Sequence, residues 1–143
     1  MLSRKVRRLG RLVAALALLA PAMPAAAAGE RPALRGVSAI RIANYNSPSV
    51  LYEGRDKVGP IVSELNALRR RAWRGGDTKL ACYATLVVLS GRKTLGTFRI
   101  RPEHIVEREG QKGTPIYSLE LEAGDIPRLS EMLAAIPPAK NCD

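Results

Sequence analysis

The chain has 143 residues, of which 46% are apolar and 25% charged, and its formal net charge is +10. This length allows one domain built around one hydrophobic core. With one histidine, two cysteines and no HExxH or CxxC pattern, the sequence lacks the recognisable metal-site motifs, and we expect no metal or other cofactor.

The first 28 residues have the layout of a signal peptide. Five positive charges without an acid precede an apolar run at residues 12–20, and alanines follow at residues 25–28. The apolar run is too short for a membrane-spanning helix, which needs roughly twenty such residues. We therefore expect cleavage near Ala28 and Gly29, a mature protein without a transmembrane helix, and a periplasmic or secreted location.

Removal of this segment changes the charge that the folded protein carries. The remaining chain has 18 basic and 13 acidic residues, which gives a net charge of +5. Such a charge favours solubility and weak attraction to anionic surfaces, but it specifies neither a fold nor a ligand. A nucleic-acid partner is not expected for an exported protein.

The two cysteines, Cys82 and Cys142, both belong to the mature chain. Exported domains meet an oxidising environment, and two cysteines there are commonly paired, so we predict a disulfide that holds the carboxyl-terminal tail against the sheet. The alternative is a buried thiol at Cys82 and a loose tail at Cys142. A catalytic thiol is disfavoured because Cys82 falls within an apolar segment, residues 80–89, that is predicted as a strand.

The mature chain begins with a polar segment, residues 29–36, that shows no periodicity. We predict that it is a flexible leader to a single small domain at residues 37–143. Residues 37–45 alternate apolar and polar side chains, which indicates a strand, and a short extended piece is predicted at residues 50–52.

An amphipathic helix follows. Asp56 is a plausible cap, Pro60 fits its first turn, and Gly75 and Gly76 are typical of a helix end. Trp73 is expected to cover the end of the core. The apolar stripe of this helix comprises Val58, Ile61, Val62, Leu65, Leu68 and Ala72.

Consecutive strands are predicted next, at residues 80–89, 95–101, 104–109 and 116–122, with short turns between them. The first of these carries mainly apolar residues on both of its alternating sets of positions, which is typical of a central strand. Asp125 is then predicted to cap a last helix that Pro137 and Pro138 stop. Its apolar stripe comprises Ile126, Leu129, Met132, Leu133 and Ile136.

Short turns between consecutive strands indicate an antiparallel meander, and two helices that are apolar on one side indicate that both cover one face of the sheet. We therefore predict a two-layer α+β domain with a mostly antiparallel sheet of four to five strands and two helices packed on one face. The residues expected to face the helices are Ile40, Ile42, Phe98, Ile100, Tyr117 and Leu119.

The sequence offers little catalytic chemistry. His104 is flanked by Glu103 and Glu107, a combination that suits a general base or a metal ligand but that also occurs in solvated loops. No GxSxG motif, phosphate loop or dinucleotide fingerprint is present, so we assign no catalytic residue. A small hydrolase or ligand carrier that uses these three residues is the alternative function.

Five basic residues close together form the densest positive run. They lie at the carboxyl end of the first predicted helix, where cations complement the helix dipole, so a solvated cluster is the simple interpretation. Weak, salt-sensitive attraction to anionic lipid or to an acidic envelope partner is the alternative. The five residues are Arg69, Arg70, Arg71, Arg74 and Lys79.

The strand alternation also predicts which residues share the sheet face away from the helices. Tyrosine and arginine are favoured in interface hot spots, so this face is a candidate binding surface for a protein partner, although cross-strand ion pairs on a solvated face are equally consistent with the pattern. The favoured function is a noncatalytic exported module that binds another envelope or secreted protein. The candidate binding residues are Arg41, Tyr83, Thr85, Arg99, Arg101 and Glu120.

Overall fold

The computed structural model describes residues 29–109 and 115–142, so the predicted signal peptide lies outside the described residues. Within these residues, seven strands form one antiparallel sheet, and two helices complete an α+β domain. The helices are α1 (Arg55–Arg69) and α2 (Pro127–Ala135). The strands are β1 (Ala39–Ala43), β2 (Val50–Glu53), β3 (Arg74–Gly75), β4 (Ala84–Ser90), β5 (Lys93–Ile100), β6 (His104–Arg108) and β7 (Ile116–Glu120).

The strands lie side by side in the order β2-β1-β4-β5-β6-β7-β3. The predicted α+β class and antiparallel sheet are confirmed, but the predicted count of four to five strands is wrong. The sheet extends further at both edges, because the short piece at Val50–Glu53 pairs with β1 and the two residues of β3 pair with β7. Two residues are too few to show an alternating pattern, so β3 was predicted to be part of a helix end.

One face of the sheet carries the hydrophobic core. Ile42, Leu86 and Phe98 occupy consecutive cross-strand positions on this face, and each is fully buried. Four stripe residues of α1 and Leu129 of α2 belong to the same core cluster, so both helices bury their apolar sides against this face. Ala72, which was predicted to end the stripe, lies beyond α1 and is exposed. The four residues of α1 are Val58, Ile61, Leu65 and Leu68. The six residues predicted to face the helices all belong to this core or pack against it.

Helix α1 begins and ends at other residues than predicted. Its amino-terminal cap is Gly54, which has a φ of 91° that suits glycine, and Asp56 lies in the first turn instead. The helix ends at Arg69, before Trp73, whose side chain is fully buried and whose indole Nε1 donates a hydrogen bond of 2.8 Å to the Leu68 carbonyl. Trp73 therefore closes the core as expected.

Helix α2 takes its amino-terminal cap from α1. The Glu64 carboxylate accepts hydrogen bonds from the backbone N–H groups of Arg128 (2.9 Å) and Leu129 (2.8 Å), which are among the donors that a helix start leaves unpaired. Asp125, predicted as the cap, instead accepts hydrogen bonds from the Glu122 N–H (2.8 Å) and the Arg71 guanidinium (2.6 Å).

These two hydrogen bonds, first the backbone bond from Glu122 and then that from Arg71, hold the pKa of Asp125 below its ordinary value of 3.8. A carboxylate whose pKa is lowered in the folded state stabilises that state at pH values above the ordinary pKa. This stabilisation is lost as the pH falls through the folded-state pKa. We expect Asp125→Asn to lower the stability near neutral pH and to flatten its dependence on pH below about 4. Urea unfolding at pH 3 and pH 7 would measure this. If the free energy of unfolding differed between pH 3 and pH 7 by the same amount in Asp125→Asn as in wild type, the lowered pKa of Asp125 would be contradicted.

Residues 29–36, which were predicted as a flexible leader, lie against the domain in this structure. Gly29 and Trp73 form an isolated antiparallel bridge, with backbone hydrogen bonds of 2.9 and 3.0 Å. Leu34 is buried in the core, and its backbone N–H donates to the Asn66 side chain at 2.7 Å. Packing of the domain thus begins before residue 37. We call residues 29–34 the amino-terminal strap.

The structure contains the predicted disulfide between Cys82 and Cys142, whose Cα atoms lie 5.7 Å apart. The predicted location of Cys82 inside a strand is wrong, because Cys82 has a φ of 52° and precedes β4, which starts at Ala84. The tail reaches Cys82 along the β1–β2 turn, where Asn44 donates to the Leu133 and Pro137 carbonyls at 2.9 and 3.0 Å. The disulfide therefore joins the tail to the beginning of a central strand.

Candidate functional site: the open face of the sheet

The sheet face opposite the helices, which we call the open face, is built from two neighbouring rows of residues that cross the strands. The strand register places the first row in one line from the β2 edge to β7. This row consists of Leu51, Arg41, Val87, Thr97, Arg108 and Ile116. Its two arginines are thus flanked and separated by apolar or β-branched residues.

The second row lies beside the first and ends at β3. It consists of Ala43, Thr85, Arg99, Val106, Ser118 and Arg74. Together the rows place four arginines, from β1, β5, β6 and β3, along a band that crosses the sheet. Neighbouring strands lie about 4.8 Å apart, so the five strand intervals between β1 and β3 make the band about 24 Å long.

Three of the predicted binding residues, Arg41, Thr85 and Arg99, lie in these rows. Tyr83 precedes β4 and adjoins them, because the Arg99 guanidinium lies over its ring, 5.2 Å from the centroid. Arg99 also approaches Asp77 at 3.7 Å, a half-exposed pair that contributes little to stability. The structure therefore brings four of the six predicted residues together.

The other two predicted residues lie apart from this group. Arg101 follows the end of β5, where its side chain approaches Glu103 at 3.5 Å and donates to the Cys82 carbonyl at 3.4 Å. Glu120 ends β7 and pairs in register with His104. Both lie beside the two rows rather than in them.

Two arginines of the band, Arg74 and Arg108, were not predicted as site residues. Arg108 belongs to β6, in which His104, Val106 and Arg108 are alternate residues and therefore share one face. The location of Arg108 on the open face could thus have been predicted from the sequence. Arg74 could not be found in this way, because β3 has only two residues.

The floor between the arginines is apolar. Val106 is only 3% exposed, and Val87 and Ile116 are half-buried. A shallow depression of about 200 Å³ lies here, lined by Thr97, Arg99, Val106, Arg108 and Ile116. At the β2 edge, Leu51 is 46% exposed, the most exposed large hydrophobic side chain among the described residues.

The three residues of the alternative catalytic site do not assemble. His104 pairs in register with Glu120 on the open-face side of β6, whereas Glu107 pairs with Phe98 and Tyr117 on the core side. Glu103 is exposed and approaches Arg101. Among residues 29–109 and 115–142, no group of three or more histidine, cysteine or acidic side chains is arranged to hold a metal ion.

Glu107 instead lies at the centre of a buried ion cluster that the sequence did not predict. Its fully buried carboxylate accepts hydrogen bonds from Arg69 of α1 and, at 3.1 Å, from Arg31 of the amino-terminal strap. Burial raises the pKa of Glu107, and the attraction of the two guanidinium groups opposes that rise. The side chains of Arg31, Arg69 and Glu107 are at most 5% exposed, which indicates that the cluster stabilises the fold.

The predicted run of basic residues is divided by this cluster. Arg69 is buried in it, Arg71 pairs with Asp125 at 2.6 Å, and Arg74 joins the open face. The run is therefore not one positive surface. In the part of the chain that the structure describes, neither helix has the length and apolar character that crossing a membrane requires.

Comparison of the chain with protein-family models, with curated proteins and with solved structures gives no match. The open face therefore has to be interpreted from its own residues.

Proposed function

We propose that the chain is an exported, noncatalytic module that binds another envelope or secreted protein through the open face. The observation that carries this proposal is the band of four arginines, set on an apolar floor, on the face that the helices leave uncovered. Export is supported by the signal-peptide layout of the first 28 residues, and the disulfide is compatible with it.

The charges of the band indicate the chemistry of the partner. Arg41, Arg74 and Arg108 form no ion pair with any residue that the structure describes, so they retain their capacity to bind carboxylates. Arginine offers a planar fork of donors that matches a carboxylate, and its stem packs on apolar side chains. An acidic protein surface that also carries apolar side chains satisfies both features of the band.

The apolar floor favours a protein over a purely anionic surface. The half-buried side chains of Val87 and Ile116 gain nothing from a solvated polyanion, but an apolar side chain of a protein partner removes their exposed part from water. Leu51 and Arg41 lie next to each other at the β2 edge and extend the same combination of apolar and cationic groups. We expect the association to weaken as salt rises, because it is steered by charge.

Reversal of two charges of the band tests this proposal. We expect the Arg41→Glu/Arg108→Glu variant to lose the partner that co-purifies with the exported wild-type protein, with affinity reduced by about tenfold or more per arginine. The folding stability should change little, because both side chains lie on the uncovered face. Affinity would be measured with the recovered partner by titration calorimetry.

The control is Arg55→Glu, the same substitution at one exposed position of α1 on the other side of the domain, and it is compared with each of the single variants Arg41→Glu and Arg108→Glu. It should retain binding. Undiminished binding by the double variant would contradict the proposal. An equal loss in Arg55→Glu would show that net charge, and not the open face, determines the association.

A further inference from the structure

The side chain of Arg31 is held in a pocket by two carboxylates and an aromatic ring. Its Nη2 atom donates to the Glu107 carboxylate at 3.1 Å and to the Glu109 carboxylate at 2.9 Å, and its guanidinium lies over the Tyr117 ring, 3.5 Å from the centroid. The Arg31 side chain is only 4% exposed. Two carboxylates and an aromatic face are the groups that bind a guanidinium in protein recognition sites.

The pocket belongs to the sheet and α1, not to the strap that fills it. Glu107 and Tyr117 are cross-strand partners on β6 and β7, and Arg69 of α1 holds the Glu107 carboxylate from the other side. Without Arg31, one arginine would face two carboxylates, and the pocket would carry a net negative charge. The sheet and α1 therefore form a negatively charged pocket, and the strap supplies the cation that neutralises it.

Arg31 does not use all of its donors in this pocket. Its Nη1 atom is buried and makes no hydrogen bond with the residues that the structure describes. A buried donor without a partner costs roughly 1–3 kcal/mol, which lowers the net free energy that the Arg31 contact contributes. Apart from Gly29, the strap forms no β-pairing, and its backbone makes two hydrogen bonds each with Trp73, Arg69 and the Asn66 side chain.

We propose that Tyr117, Glu107 and Glu109 form a guanidinium-recognition site, which Arg31 occupies in cis and which an arginine of an extended segment from another polypeptide occupies by exchange with the strap. The planar guanidinium is the required chemical group, because it stacks on Tyr117 while it donates to both carboxylates. An ammonium group of lysine lacks the plane and the fork. This site lies on the core side of the sheet and is independent of the open face.

The chemistry of the site is tested by supplying the missing group to a vacant pocket. The probe is methylguanidinium, added to the mature Arg31→Ala protein, with methylammonium at the same concentration as the control. We expect methylguanidinium to raise the Tm of this variant more than methylammonium does, and to leave the wild-type Tm unraised. The rise in Tm should be smaller in Arg31→Ala/Glu109→Gln.

If Arg31→Ala is unfolded, the two cations are compared by the amount of folded protein that each restores. This amount is measured by the fluorescence of Trp73, the only tryptophan. Equal effects of the two cations would overturn the proposal.

Exchange is tested with a fluorescent peptide of residues 29–36 and its Arg31→Lys and Arg31→Ala counterparts. We expect the arginine peptide to bind the Arg31→Ala protein about tenfold or more tightly than wild type, because in wild type the tethered Arg31 competes at a roughly millimolar effective concentration. The lysine and alanine peptides should bind more weakly. Equal affinity of the three peptides, or no binding of the arginine peptide to Arg31→Ala, would overturn exchange.

Discussion

The Arg69→Met variant is expected to be less stable than wild type by about 3–5 kcal/mol, the usual cost of removing one partner from a buried ion pair. Arg69 and Glu107 are both buried, and Arg69 supplies two hydrogen bonds to the Glu107 carboxylate. Loss of the guanidinium leaves this carboxylate with Arg31 alone, beside the like charge of Glu109. Chemical denaturation followed by Trp73 fluorescence would measure the change.

Two variants make this prediction specific. Arg70→Met changes the adjacent but exposed arginine and should alter the stability by no more than about 0.5 kcal/mol. Arg69→Met/Glu107→Leu should be more stable than Arg69→Met, because it removes the carboxylate together with its partner, and Arg31 keeps its contact with Glu109. A cost for Arg69→Met no greater than that of Arg70→Met would show that the buried pair contributes little.

Loss of the disulfide is expected to have a comparable effect. In the chain-entropy model, a bridge between residues 60 positions apart stabilises the folded state by about 4 kcal/mol. The Cys82→Ala/Cys142→Ala variant should therefore show a markedly lower Tm than the oxidised wild type. Calorimetry of both proteins would determine the difference.

Wild type under reducing conditions provides the control, because it should unfold at nearly the same temperature as the double variant. Oxidised protein should have no reactive thiol after unfolding, and nonreducing digestion should yield a peptide in which Cys82 and Cys142 are linked. Two titratable thiols in the exported protein would contradict the bridge and leave Cys82 as a packing residue.

Features with a regular period or a strong chemical preference were predictable from the sequence. Alternation identified the core side of the strands, including Ile42 and Phe98, and the pairing of two cysteines identified the disulfide. The same alternation correctly located Arg41 and Arg99 on the open face. These inferences depend on neighbours within one strand, which the sequence displays directly.

Features that depend on contacts between distant residues were not predictable. Glu107 occurs in a polar segment and shows no sign of burial, since its partners Arg31 and Arg69 lie 76 and 38 positions away. The strap lacks periodicity because single residues, Arg31 and Leu34, anchor it. The backbone at Cys82, with its positive φ, likewise interrupts an apolar run that the sequence presents as one strand.

The cap that Glu64 provides for α2 has a consequence for how the domain folds. Helices of nine residues are marginal in isolation, since nucleation is costly and few hydrogen bonds offset it. Here the Glu64 carboxylate reaches the donors at the start of α2 because α1 is helical and packs beside α2. We therefore expect the two helices to unfold as one cooperative unit, with α2 lost when α1 separates from the sheet.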